Sequence, residues 1–118
     1  IERNIFLHIL EISDIDFQKK VWFGHSEKYV SSYVEVMCQL FDDDNYNLFL
    51  EKDAKSLNYT LSFRKKLQLL GDELNSFNRE DNKDDLEIIN DYQWQKISKL
   101  AKLIINEWTH LAEVINNV

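Results

Sequence analysis

Apolar residues recur along this chain at steps of three and four, broken by short polar stretches, so the pattern is helical over most of its length. The strongest run is C-terminal. Trp94, Ile97, Ala101, Ile104, Trp108, Leu111 and Ile115 step 3, 4, 3, 4, 3, 4, and Leu100, Leu103, Ile105 and Ala112 widen that face to the breadth expected of a helix central to a bundle. Asn90 and Gln93 resemble a capping box at its start. Upstream, Phe63, Leu67, Leu70, Leu74 and Phe77 step 4, 3, 4, 3 and predict a helix from about Ser56 to Asn78. Gly71 interrupts it at a propensity cost of about 1 kcal/mol, which a close helix crossing or a local kink would explain. The charged stretch Asn78–Asp85 reads as the main exposed loop.

The first half carries clearer start signals. Ser32 and Glu35 fit a capping box, and Val36, Met37, Leu40 and Phe41 then form one apolar side. That helix runs into Asp42, Asp43 and Asp44, although acids are unfavourable at the negative end of a helix dipole. A short helix over 45–52 follows, marked by Tyr46, Phe49 and Leu50. Earlier, Ser13 reads as an N-cap with Asp16 at N3 and a hydrophobic staple between Ile12 and Phe17. This helix passes through Gln18, Val21 and Trp22 to Gly24, placed as a C′ glycine, before the polar connection His25–Ser31. Ile1, Ile5 and Ile9 predict a short amphipathic helix over 1–10, while the run Ile5-Phe6-Leu7 leaves an edge strand open. The expectation is a single all-α domain over 1–118, a compact bundle of about five to six helices with 91–116 packed against 57–78 and 33–42.

Composition supports this and narrows the partners. Among 118 residues there is no proline and there are two glycines, so few breakers interrupt long helices. The 44% hydrophobic content suits a folded domain. A formal net charge of −7 disfavours nucleic acid and favours a basic protein partner. No apolar run is long enough for a membrane span, and no signal-peptide pattern is visible. The first residue, Ile1, is not a methionine, which points to missing chain before it. The lone Cys38 lies at the apolar side of its helix and reads as a buried, reduced thiol, which suggests a reducing, cytoplasmic setting.

The sequence carries no pattern from which catalytic or metal-binding chemistry is expected. An EF-hand loop started at Asp43 would put Leu48 at its glycine position and Ala54 at its glutamate position. His8, His25 and His110 share no ligand spacing. No phosphate-binding glycine loop or nucleophile elbow is present, so neither metal, cofactor nor catalysis is expected. Trp94 and Trp108 share one helical face and read as packing. The acids Asp42, Asp43 and Asp44 have two readings: first-turn acids of the next helix, or a partner-binding face with Tyr46, Glu51 and Asp53, where the tyrosine is a rigid anchor among charges. Asp81, Asp84, Asp85 and Glu87 form a second candidate face.

Residues 12–50 resemble the small helical immunity proteins of bacterial contact-dependent and polymorphic toxin systems. The likeness rests on Ile12-Ser13, Phe17-Gln18, Trp22, Gly24, Ser31-Ser32, Glu35, Leu40-Phe41-Asp42-Asp43 and Phe49-Leu50, with a weaker echo at Asn90-Asp91 and Trp94. Helix formation alone accounts least for Gln18 and the Phe41-Asp42-Asp43 run. The resemblance implies a non-enzymatic cytoplasmic inhibitor that binds a cognate toxin domain, often a nuclease with a basic surface and in some systems an EndoU-type ribonuclease. It carries over no contact residues. A helical adaptor or regulatory module that binds another protein is the competing expectation.

Overall fold

The computed structural model describes residues 2–23, 30–54, 57, 59–78 and 84–116, with side chains through residue 110 apart from that of residue 78. Seven helices follow in order among them: α1 (Glu2–Ser13), α2 (Ile15–Val21), α3 (Tyr33–Cys38), α4 (Tyr46–Leu48), α5 (Leu61–Asn78), α6 (Asp85–Asn90) and α7 (Tyr92–Asn116). α3 runs on as a π-helical turn over Gln39–Asp43, and α4 as another over Phe49–Asp53. The described residues contain no strand, so the fold is the all-α bundle that the periodicity predicts. The first segment is a helix, which removes the edge-strand alternative.

α7 is the central post, packed along α1 on one side and α5 on the other. It runs antiparallel to both. Phe6 of α1 and Phe63 of α5 both meet the ring of Trp108, whereas Phe77 at the far end of α5 meets Trp94. The expected partner 33–42 is therefore corrected to α1, which offers a fully buried strip of Ile5, Ile9 and Ile12 along twelve residues. α3 and its π turn lie on α1 and reach α7 through Tyr33, whose ring stands edge-on to Trp94 at 5.5 Å.

Helix starts depart from expectation where two capping residues are neighbours. Ser13 closes α1, its hydroxyl donating to the Leu10 carbonyl at 2.6 Å, and Asp14 caps α2 by accepting from the Phe17 amide at 3.0 Å. The Ile12–Phe17 staple is thereby out of register, and Ile12 belongs to the α1 core strip. Asn90 likewise ends α6, donating to the Leu86 carbonyl, while Asp91 caps α7 through the amides of Gln93 and Trp94 at 2.8 and 3.4 Å. In both pairs the first residue is held by the preceding helix and the second starts the next. α5 begins at Leu61, five residues later than 56, because Thr60 caps the Phe63 amide at 3.1 Å. Ser32 caps α3 as expected, accepting from the Glu35 amide at 3.1 Å.

α6 follows the expected loop 78–85, sharing only Asp85 with it, and is a helix the periodicity did not predict; Asp84 caps it, and burial of Ile88 and Ile89 holds it. Leu103 points outward from α7, so the apolar face is narrower there than the leucine count suggested. Gly71 marks a close crossing: a Cβ there would meet Cε2 of Tyr46 at 3.0 Å. Gly24, the connection through 25–29, the loop positions 79–83 and the side chains of Leu111, Ala112 and Ile115 lie outside the described residues.

Candidate functional site: an acidic corner built on wide turns

The joint between α3 and α4 is the most unusual backbone in the described chain. Two π-helical turns flank it, and wide turns of this kind are rare and recur at functional sites. The Asp44 amide closes the first by donating to the Gln39 carbonyl at 2.8 Å. Asn45 between them adopts φ 48°, the one positive φ of a non-glycine residue among those described, in the left-handed region that asparagine tolerates. This geometry settles the acid triplet's place. Asp42 and Asp43 belong to the π turn of α3, and Asn45 occupies the cap position of α4, so the first-turn reading is corrected.

Two buried side chains pin the corner from beneath. Asp44 turns inward and pairs with His8 Nδ1 of α1. Tyr46 is fully buried; its hydroxyl donates to the Leu67 carbonyl of α5 at 2.6 Å, with Phe41 edge-on and Phe49 stacked against its ring. Neither side chain can meet a partner, so both leave the candidate face, and Tyr46 is a core residue rather than an anchor. What remains outside is Asp42, Asp43, Asn45, Asn47, Leu48, Glu51 and Lys52, with Asp53 half-buried. Acids at the end of a helix are electrostatically costly. Inward pairing relieves Asp44, while solvent screens Asp42 and Asp43.

The second candidate face is largely occupied by structure. Asp84 accepts from the Glu87 amide at 2.8 Å as the cap of α6. Asp85 sits partly buried beside the Tyr33 backbone amide; burial raises its carboxyl, opposed by that hydrogen bond. Glu87 is exposed, and Asp81 lies outside the described residues. Cys38, expected in the core, is exposed on the side of α3 opposite Tyr33, Val36, Met37 and Leu40. The described residues hold no cluster of three or more His, Cys, Asp or Glu side chains placed to bind a metal. No helix among them is long and apolar enough to cross a membrane.

Gln18, Trp22, Ser31 and Trp94 meet inside the fold. Gln18 is fully buried, donating from Nε2 to the carbonyls of Glu11 and Ile12 at 2.8 and 2.9 Å and accepting from Trp94 Nε1 at 2.9 Å. The Glu11 carboxylate takes the Trp22 indole N–H at 3.1 Å and the Ser31 hydroxyl at 2.7 Å. These side chains lock the α1–α2 joint to α7, so their role is in the framework rather than at a contact surface.

Buried phenols give this region a pH signature. Desolvation pushes Tyr46 far above its ordinary value, with the negative charge of Asp72 adding to the rise. Desolvation raises Tyr59 strongly as well, helped by its hydrogen bond to Glu2, and raises Tyr33 to about 12. A folded-state pKa above the unfolded value means stability fully present below about pH 10 and lost as pH climbs through the folded values. In an alkaline titration followed at the tyrosinate band, the signals of Tyr46 and Tyr59 should appear only together with unfolding. A smooth rise from all tyrosines near pH 10, with the helical signal intact, would contradict their burial.

The chain matches no protein-family model, no curated protein and no solved structure.

Proposed function

We propose that the protein is a non-enzymatic, stoichiometric inhibitor that presents its acidic α3–α4 corner to a basic partner, in the manner of an immunity protein neutralising a nuclease toxin in the bacterial cytoplasm. The observation that supports this is the corner itself: Asp42, Asp43 and Glu51 are exposed on backbone fixed from below by the Asp44–His8 pair and the Tyr46–Leu67 hydrogen bond. Charges held in place before encounter cost less ordering on binding. On a chain of net charge −7 they also steer a basic surface toward them. Such a surface is what a nuclease uses to hold phosphates, so an acidic corner can occupy it by imitating their charge.

The test combines genetics and kinetics. The product of the reading frame adjacent to this gene is co-expressed with the protein, and complex formation and rescue of growth are scored. Neutralisation without a stable complex would exclude stoichiometric inhibition. In the purified pair, Asp43→Lys with Glu51→Lys should slow association about tenfold or more at low salt, equivalent to about 1.4 kcal/mol. The gap should close at high salt, where charges are screened beyond about 3 Å. Both side chains are exposed, so the melting temperature should barely move. Unchanged association kinetics would remove the corner from the interface.

A further inference from the structure

α5 and α7 leave a second surface of different character. The flank of α5 at Gly71 meets Tyr46 of α4, whereas its other flank meets α7, where Lys66 bonds Glu107 at 2.6 Å. On that α7 side the two antiparallel helices border a groove of about 470 Å³ that continues past Leu69 into a second hollow of about 490 Å³. One edge carries Leu61, Lys65 and Leu69 at four-residue steps, and the other carries Tyr92, Lys96 and Leu100. Large apolar side chains are open to solvent here: Leu61 is 59% exposed, Leu69 48% and Tyr92 75%. The Lys96 ammonium stands 5.4 Å above the Tyr92 ring, and Lys65 is exposed.

We infer that this groove docks an acidic amphipathic helix of a partner protein, independently of the acidic corner. α5 and α7 both wall the first hollow and α5 alone lines the second, and from Leu61 to Glu73 the surface runs about 18 Å, the length of roughly three helical turns. That shape and the alternation of leucine and lysine fit a helix presenting apolar anchors at i, i+3/i+4 and i+7 with carboxylates on its flanks. Charge complementarity selects the sign. Lys65 and Lys96 stand against Glu73 along the groove, Lys66 being paired to Glu107, so this surface is locally basic on a protein whose overall charge is −7.

The probe is a synthetic helix of about 18 residues with leucines on one face and glutamates on its flanks, labelled for anisotropy, alongside a copy with lysine in place of glutamate. The glutamate peptide should bind at least about tenfold more tightly than the lysine peptide. Binding should fall by a similar factor in Leu69→Asp and in Lys65→Glu with Lys96→Glu. Amide shifts should centre on Leu69, Tyr92 and Leu100, and Asp43→Lys with Glu51→Lys should leave the affinity unchanged. Helical content of each variant, read by circular dichroism, separates lost contact from lost fold. No binding, equal binding of both peptides, or shifts centred on the α3–α4 corner would overturn the inference. Binding of phosphatidylserine vesicles lost in Leu69→Asp, or concentration-dependent self-association lost in that variant, would overturn it in favour of a membrane or a second copy.

Discussion

Replacing Gln18 with leucine is expected to cost about 2–5 kcal/mol of stability, although the two side chains are close in size. The change strips hydrogen-bond partners from the Trp94 indole N–H and the Ile12 carbonyl and one of those at the Glu11 carbonyl, all at the buried α1–α2 joint. A buried polar group left unsatisfied costs about 1–3 kcal/mol, whereas a leucine at this position gains little new burial. Gln18→Glu sharpens the test. Near neutral pH it sets a carboxylate against two carbonyl oxygens, and it should regain stability as acid protonates the new group. Urea unfolding followed by tryptophan fluorescence reads both variants. A midpoint close to the parent's in Gln18→Leu would mean that the joint is held by packing alone.

Trp108→Ala should cost about 3–5 kcal/mol, the range for removing a large aromatic side chain from a core. Its ring is surrounded by Phe6, Phe49, Tyr59 and Phe63, with centroids 5.4–6.2 Å away. Its indole N–H donates to the Glu2 carboxylate at 3.3 Å, which also receives the Tyr59 hydroxyl. α1, α4, α5 and α7 meet at this residue, so the cavity left by alanine cannot be closed by one neighbour moving. A loss well below 3 kcal/mol would mean that these helices collapse around the gap. A variant with an unchanged melting temperature that fails to bind its partner would move Trp108 from core to interface.

The two tryptophans of α7 illustrate what periodicity can reach. A step of three or four places residues on one face whatever lies opposite, so Trp94, Trp108, Phe63 and Leu67 could be assigned to the core from spacing alone. Cys38 departs from its expected burial for a related reason. It adjoins the apolar residues Val36 and Met37 in sequence, yet at about 100° per residue it lies well round the helix from Tyr33, Val36 and Leu40. Gln18 stood out as poorly explained by a helix, but nothing local could say that its partners would be two carbonyls of α1 and an indole of α7.

The candidate corner shows the same division. Sequence identified Asp42, Asp43 and Glu51 as possible contact charges, and all three are exposed. It could not separate them from Asp44 and Tyr46, because no pattern within 42–46 says which of five polar-capable residues turns inward. His8 lies 36 residues from Asp44, and the Leu67 carbonyl belongs to a residue 21 positions beyond Tyr46. The exact cap at each helix start was similarly undecided, since Ser13-Asp14 and Asn90-Asp91 each contain two competent capping residues. The preceding helix had to claim the first.

Helix class, the composition of the buried strips and the acidic character of the molecule were therefore set by the chain's own order of residues, because 3.6-residue geometry, side-chain transfer energies and formal charge act locally. Which helix lies against α7, which acid of the triplet is buried, and where apolar residues remain uncovered were decided only by assembly. Those outcomes depend on long-range pairings such as His8 with Asp44 and Gln18 with Trp94, whose hydrogen bonds form only after distant helices have packed.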